Sequence, residues 1–514
     1  MQEVANRDSY RALVINTLAF TVCFAVWMVN GVLVTFLVDN QVFDWSYKQM
    51  GFLMGVPVLT GSIFRLPAGI LTDKYGGKPV YGILLFLCAI PMFLLSFANS
   101  FLAFALCSFG FGLAGISFSI GIAYTSVWFP KHQQGTALGI FGAGNAGAAL
   151  TTLFAPTILN HLTGNGEHLD EWRKLPVYYA ILLVIMGVIF FAFTKNKKPE
   201  SSTKSLSERL VPLKHLRVWR FGLYYFLVFG GFVAFSQWLM PYFVNVYDVG
   251  IVLAGTFVSA FSFPSGVIRA FGGWLSDKFG ARTVMYWVLG SSLLISILLI
   301  VPRMAIESPG RGIQAKRGGK VVKVESTQVV VDEVTPAGKK VGPRTYKLIP
   351  RPKKILGLNE TEKEKKVLIF PTSQMWQVPR VKEGMDIKKK TLIAKGRTRI
   401  FFQANLWVFV ILVVLLGSIW GIGKAAVYKH IPDYFPEDVG VVGGMVGVLG
   451  GLGGFFCPLI FGYLLSWTGL WTTCWVVMGA LSAISLIWMH HVIRKMTKAK
   501  APGIAHDFET GRAS

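Results

Sequence analysis

A chain of 514 residues could hold several soluble domains, yet 53% of this one is hydrophobic and 14% aromatic, with a mean hydropathy of +0.53. That balance excludes an ordinary water-soluble globule and indicates a protein embedded in a membrane. The formal net charge of +25 is spread unevenly, so it informs topology before it informs partners.

Twelve apolar runs are each long enough to cross a hydrocarbon core that needs about 20 helical residues. In chain order they lie near 12–38, 47–71, 79–98, 101–128, 133–160, 176–194, 219–245, 250–275, 283–302, 403–428, 439–466 and 471–492. The first is too long for the apolar part of a signal peptide, and no small-residue cleavage site follows it, so it is expected to stay in the mature protein. All five cysteines, Cys23, Cys88, Cys107, Cys457 and Cys474, fall inside these runs without metal-like spacing and read as small core residues.

Lys and Arg crowd the segments before the first run, after the second (Lys74, Lys78), after the sixth (Lys195 to Arg217) and after the last (Arg494 to Lys500). The positive-inside rule makes those sides cytoplasmic, so both termini are expected inside and the loop at 160–174, with Glu167, Asp170 and Glu171, outside. The chain then divides into a six-helix bundle at 1–198, a linker at 199–217, helices seven to nine at 218–302, an insertion at 303–400, helices ten to twelve at 401–496 and a tail at 497–514. The insertion holds 24 Lys and Arg against nine Asp and Glu, and thus +15 of the formal charge. Stretches such as "KVVKVESTQVVVDEV" and "TLIAKGRTRIFF" alternate in polarity and predict strands. Parity of the spans puts this insertion outside, since the charge rule weakens for long loops. Its basic face could gather anions or dock on acidic partners, but a solvated small β domain is the plainer reading. No stacking-aromatic or recognition-helix pattern accompanies the charge, so no nucleic-acid partner is expected.

Two stretches are near copies: "FRLPAGILTDKYGGKPV" at 64–80 and "IRAFGGWLSDKFGARTV" at 268–284. Equivalent residues are 204 apart, which marks a duplicated six-span unit. Each copy carries an arginine, Arg65 and Arg269, eight residues before an aspartate of the loop, Asp73 and Asp277. Eight helical residues rise about 12 Å, which puts both arginines deep in a core about 30 Å thick. A guanidinium there cannot shed its proton and should face a polar or protein-lined interior. The apolar runs offer no Asp or Glu near their middles as a partner, so the missing negative charge is expected from a small anionic substrate.

Corresponding spans of the two halves also carry glycine-rich runs, "GTALGIFGAGNAGAAL" at 135–150 and "GGMVGVLGGLGGFF" at 443–456. These place Gly139, Gly142, Gly144 and Gly147 in one half and Gly447, Gly450, Gly451, Gly453 and Gly454 in the other. Such density lets helices approach closely and exposes backbone to a ligand, although small-residue packing alone is common in membranes. Asn145 could donate to the anion or bond a neighbouring helix. Lys424, in "GIGKAAVYKH", is the candidate titratable group for proton coupling, or else a lysine snorkelling from about one and a half turns inside the cytoplasmic end. His132, His161 and His430 lie at span ends or in loops.

"GILTDKYGGK" and "GWLSDKFGAR" resemble the loop signature of the major facilitator superfamily, and the two glycine runs resemble the paired signatures of its nitrate/nitrite porter family. The resemblance spans the chain apart from 303–400. It implies an all-α polytopic membrane protein of twelve transmembrane helices in two pseudo-symmetric six-helix bundles, here with a small β-rich basic insertion between helices nine and ten. It also implies that Arg65 and Arg269 clamp nitrate or nitrite between the halves, that Asn145 contributes, and that Tyr225, Phe229 and Phe118 supply aromatic faces that admit a flat anion and exclude tetrahedral ones. The expected activity is secondary transport by alternating access, with nitrate taken up in exchange for nitrite. Proton symport and a transporter-like anion sensor are the rivals. Cofactors, metals and catalytic groups are not expected, nor is an enzymatic reaction; a monomer in the bacterial inner membrane is.

Overall fold

The computed structural model describes residues 6–197, 211–300, 304–335, 338–351, 372–402, 406–435 and 439–500. Most of the expected linker at 199–217 and the tail from 501 onward lie outside the described residues. The chain forms two compact units, one of Met1–Ile300 with Val410–Ser514 and one of Val301–Phe409.

Among the described residues of the first unit ten helices are long and apolar enough to cross a membrane, and two bent pairs bring the number to twelve when each pair is one span. In chain order these are α1 (Arg7–Asp39), α2 (Tyr47–Ile63 with Pro67–Tyr75), α3 (Gly77–Phe97), α4 (Phe101–Ser126), α5 (Thr136–Leu162), α6 (Leu169–Phe193), α7 (Leu216–Tyr247), α8 (Ile251–Val267 with Phe271–Phe279), α9 (Ala281–Leu299), α10 (Leu406–Ile431), α11 (Val442–Thr468) and α12 (Thr473–Met496). The spans therefore fall where the apolar runs put them. Cys23, Cys88, Cys457 and Cys474 are buried among them and Cys107 is half-buried, all as free thiols.

The bent helices are α2, by 44°, and α8, by 49°, which are equivalent in the two repeats. Each break falls at the residue before the repeated arginine, Phe64 in α2 and Ile268 in α8. Proline supplies the local cause in both. Pro67 has no N–H to offer the carbonyl four residues back, and Pro264 stands one turn before the second break.

Helices of the two repeats meet at the end remote from Asp73 and Asp277. There α1 meets α7, α2 meets α11 and α5 meets α8 so closely that a Cβ on Gly31, Gly51 or Gly255 would lie 2.7 Å from Gln237 Cα, 2.3 Å from the Pro458 carbonyl or 2.2 Å from the Thr152 carbonyl. Toward the aspartate loops the picture reverses. Gly69 and Gly273 stand one turn beyond the two arginines and share their faces, and Gly139 and Gly444 occupy matching positions on α5 and α11. A Cβ on any of these four meets nothing within 4 Å. The bundle is closed at the far end and open at the loop end.

The described residues of the second unit form a small β body. Its strands are β1 (Met304–Gln314), β2 (Gly318–Val324), β3 (Gln328–Val334), β4 (Lys340–Lys347), β5 (Thr372–Pro379), β6 (Asp386–Ile387) and β7 (Leu392–Phe402). They form two antiparallel sheets ordered β1-β7-β5 and β4-β3-β2-β6. Alternation puts Val321, Val329, Val331 and Ile393 into a shared core and leaves the lysines outside. Glu333 is buried on β3, where its carboxylate accepts a 2.6 Å hydrogen bond from the Tyr346 hydroxyl and faces Arg344 at 3.4 Å. Burial, and then the bond to Glu333, push the Tyr346 hydroxyl above its ordinary pKa.

Candidate functional site

The two arginines come together midway along the first unit, each raised on the stub of a broken helix. Arg65 is 3% exposed, and its Nη1 donates a 2.6 Å hydrogen bond to the Gly447 carbonyl of α11, which ties the first repeat to the second. Its Nε is buried without a partner among the described residues. Three rings surround its guanidinium: Phe229 at 5.5 Å, Phe118 at 5.6 Å and Trp27 at 5.8 Å. Arg269 is half-buried, with Phe118 at 5.8 Å and Tyr428 at 5.3 Å. Phe118 thus lies within cation–π reach of both.

Tyr225 and Phe229 stack at 5.0 Å with planes 6° apart, and Tyr428 meets Tyr225 edge-on at 5.0 Å. Both arginines and Tyr428 are electrostatic neighbours of the Tyr225 hydroxyl. The turn from Phe226 to Gly230 is a π-helix, one extra residue that resets the facing of α7 between the two rings. Tyr428 donates to the Gly443 carbonyl at 3.0 Å and so holds α10 to α11.

Asn145 reaches the same region on a 3-10 turn of α5. Its Nδ2 donates to the Gly142 carbonyl at 2.8 Å, which leaves its buried Oδ1 without a partner among the described residues. The asparagine therefore bonds its own helix rather than a neighbouring one. An anion placed here would find the two guanidinium forks.

The signature glycines divide into tight and open positions. A Cβ on Gly450 would fall 2.1 Å from the Tyr225 ring, one on Gly451 2.1 Å from the Ser62 hydroxyl, and those on Gly453 and Gly454 2.6 Å from α7. Gly144 and Gly147 press as closely on α1, at 2.5 and 2.1 Å. Gly142 leaves room beside Arg269, at 3.8 Å, a Cβ on Gly447 would press on the Tyr428 hydroxyl at 3.2 Å with Arg65 at 3.6 Å, and Gly139 meets nothing. Gly450→Ala should consequently cost about 1–3 kcal/mol through overpacking. Gly139→Ala should be neutral or stabilise by about 0.5–1 kcal/mol. Thermal unfolding of the two purified variants checks the contrast.

Lys424 does not snorkel. The helix of α10 continues to Tyr434, ten residues and about 15 Å beyond it, and Lys424 is 0% exposed. Its Nζ has no hydrogen-bond partner among the described residues and sits 3.4 Å from the centre of the Phe232 ring. Lys424 precedes Tyr428 by one turn and Phe232 follows Phe229 by about one, so the pair forms a second layer on the far side of the arginines. Among the described residues the buried carboxylate is Glu333 of the β unit, and the buried cations of the helices face no carboxylate. Asp277 bonds Lys429 of α10 at 2.6 Å in the exposed loop region, and Asp73 stands half-buried at the matching end of α2. His161 is exposed, and His430 is buried in the last turn of α10, stacked on Phe221. The described residues contain no group of acids, cysteines and histidines arranged to hold a metal ion.

The profile described as the Major Facilitator Superfamily matches residues 15–310 and 397–510, skipping most of the β unit. The chain belongs to the Major Facilitator Superfamily. This superfamily member is 38% identical over 508 residues to the probable nitrate/nitrite antiporter NarK1 of Thermus thermophilus, covering 98% of this chain and 96% of that one. It is 25% identical over 492 residues to the nitrite extrusion protein of Bacillus subtilis (strain 168), covering 94% and 95%, and 24% identical over 483 residues to the probable nitrate transporter NarT of Staphylococcus carnosus (strain TM300), covering 94% and 96%. In fold it is similar to a bacterial homologue of the human lysosomal transporter Spinster in its inward-facing, occupied conformation, with a TM-score of 0.61 at 14% identity over 95% of this chain and 97% of that one. The nucleoside transporter NupG gives 0.56 at 12% identity over 95% and 99%.

The structure gathers Arg65, Arg269, Tyr225, Phe229 and Phe118, with Asn145 on the adjoining turn of α5, as the sequence and its resemblance lead one to expect, and adds Trp27 and Tyr428, which the sequence reading did not single out. Tyr428 had a legible signal, since it follows Lys424 by one turn on a face already singled out. Trp27 had none, as a tryptophan in a buried span reads as core.

Proposed function

We propose that this protein carries nitrate and nitrite across a membrane by alternating access, taking up one in exchange for the other. The observation that carries the reading is the pair of guanidiniums held among aromatic rings with no carboxylate beside them among the described residues. Kinship with a protein named as a nitrate/nitrite antiporter supplies the substrate class. In this reading a flat anion accepts from two planar forks beside the Phe118 and Phe229 rings, and its charge offsets the repulsion between the two arginines. Without it the repulsion resists closure of the halves, so the carrier returns only when loaded, which favours exchange. Arg65, Arg269, Asn145, Tyr225, Phe229 and Phe118 are the proposed contacts; the close-packed glycines are the surface on which the halves rock. The proposed setting is the bacterial inner membrane with both termini cytoplasmic, the β unit outside, and the open end facing the cytoplasm. The protein acts as a carrier rather than an enzyme, in monomeric form.

A second reading rests on Lys424, whose full burial suits a group that gains and loses the proton of a symporter. Nitrate uptake into proteoliposomes loaded with nitrite or left empty, each with and without an inward proton gradient, separates the two. Uptake that needs internal nitrite and ignores the gradient is the expected result. Gradient-driven uptake into empty vesicles would establish symport, and binding without flux would make the protein a sensor. Deletion of 303–400 with the spans rejoined should leave the preference for nitrate over sulfate unchanged in the same vesicles, and a shifted preference would show that the β unit shapes the pathway.

A further inference from the structure

Three arginines gather at the loop end of the second repeat, apart from the site between the halves. Arg217 at the start of α7, Arg282 and Thr283 at the start of α9, and His430 and Tyr434 at the end of the α10 helix line an open cavity of about 630 Å³. An adjoining crevice shares Arg282, His430 and Tyr434 and runs past Arg220 to Met489, Ile493 and Met496 of α12. The cavity is built from α7, α9 and α10 and the crevice adds α12, so both are lined by the second repeat alone. None of the described residues that line them is acidic.

The cationic groups are held in place rather than merely crowded. Tyr434 gathers two of them: the Arg217 guanidinium lies 4.8 Å from its ring centre and that of Arg282 5.7 Å, and Arg282 also donates a hydrogen bond to its hydroxyl. Arg220 is 8% exposed, and its buried Nε has no hydrogen-bond partner among the described residues. Its electrostatic neighbours are Tyr224, Tyr434 and the other two arginines. The 19-residue helix Ala281–Leu299 begins at the cavity wall with Gly280 as its N-cap and no side-chain cap, so its first amide N–H groups are free to bind an anion.

We infer that this cavity is a binding site for a phosphate group, taken from the headgroup of an anionic phospholipid. Two planar forks in the cavity wall, a third in the adjoining crevice and a helix N-terminus match the oxygens of a phosphate, and like charges this close require a counter-charge. The cavity is far larger than a single oxyanion and opens to the surface, which suits a lipid headgroup. Basic pockets between spans at a membrane surface recognise anionic headgroups in this manner. The site is independent of the nitrate reading and would stand if that reading failed.

The test uses the full-length protein in discs of neutral phosphatidylcholine, with phosphatidylglycerol added to the bilayer or inorganic phosphate added to the buffer, read as the unfolding temperature. Phosphatidylglycerol should raise it, and Arg220→Gln and Arg282→Gln should each weaken the apparent affinity for that lipid roughly tenfold. An equal rise from inorganic phosphate in neutral discs, lost in the same variants, would keep the phosphate site and make its source soluble. Equal responses of variants and parent, or no response to either ligand, would overturn the site. Arg217→Gln, at the exposed rim, replaces any variant that does not fold.

Discussion

Replacing Arg65 with lysine should lower nitrate-for-nitrite exchange by roughly two to three orders of magnitude, although the formal charge is kept. Arg65 uses Nη1 to hold the Gly447 carbonyl while its guanidinium lies among the rings of Phe118, Phe229 and Trp27. A guanidinium can do this and still direct further N–H groups at an anion, because five donors are fixed in one plane. An ammonium is a point charge on a flexible stem, so it must choose between carbonyl and anion, and it gives the rings no planar partner. Losing about two charge-assisted hydrogen bonds removes about 3–4 kcal/mol. Counterflow in proteoliposomes measures the effect, with unfolding temperature as the control for folding. Near-parental flux in Arg65→Lys would sink the clamp.

Lys424→Met should act in two directions at once. Removing a fully buried cation that no carboxylate balances should raise stability by about 1–4 kcal/mol. The same ammonium lies one helical turn, about 5.4 Å of rise, from the layer that holds Tyr428, so its field also draws an anion to the arginines. Its loss should raise the KM for nitrate by roughly tenfold while leaving kcat nearly unchanged. Uptake kinetics and thermal unfolding of one preparation report both effects. An unchanged KM would mean that the side chain is uncharged when nitrate binds, which would move the proton-coupled reading ahead of exchange.

The spans were legible because a hydrocarbon core imposes length and composition on any helix that crosses it, and the duplication was legible because Arg65 and Arg269 sit in recognisably similar surroundings. The strands of the β unit were legible as alternation, down to the β2–β3 hairpin within "KVVKVESTQVVVDEV". Three features were not. The breaks at Phe64 and Ile268 arise from prolines that elsewhere in this chain, as at Pro156 and Pro241, are carried inside continuous helices. The π-turn at Phe226 depends on how α7 meets the glycines of α11, a tertiary effect. The depth of Lys424 was misjudged because the last turns of its helix, through Tyr434, are polar enough to read as loop.

The contrast between the sealed far end and the vacant glycine faces near the aspartate loops makes the two surfaces of the membrane chemically inequivalent for an empty carrier. A thiol placed at position 69, 139, 273 or 444 would meet open space, whereas one at 31, 51 or 255 would be forced against backbone from the opposite repeat. A bulky, membrane-impermeant maleimide would then label the first set from one side only. Added nitrate would protect those thiols to the extent that it draws the halves together, so the labelling rate becomes a direct count of how often each gate stands open.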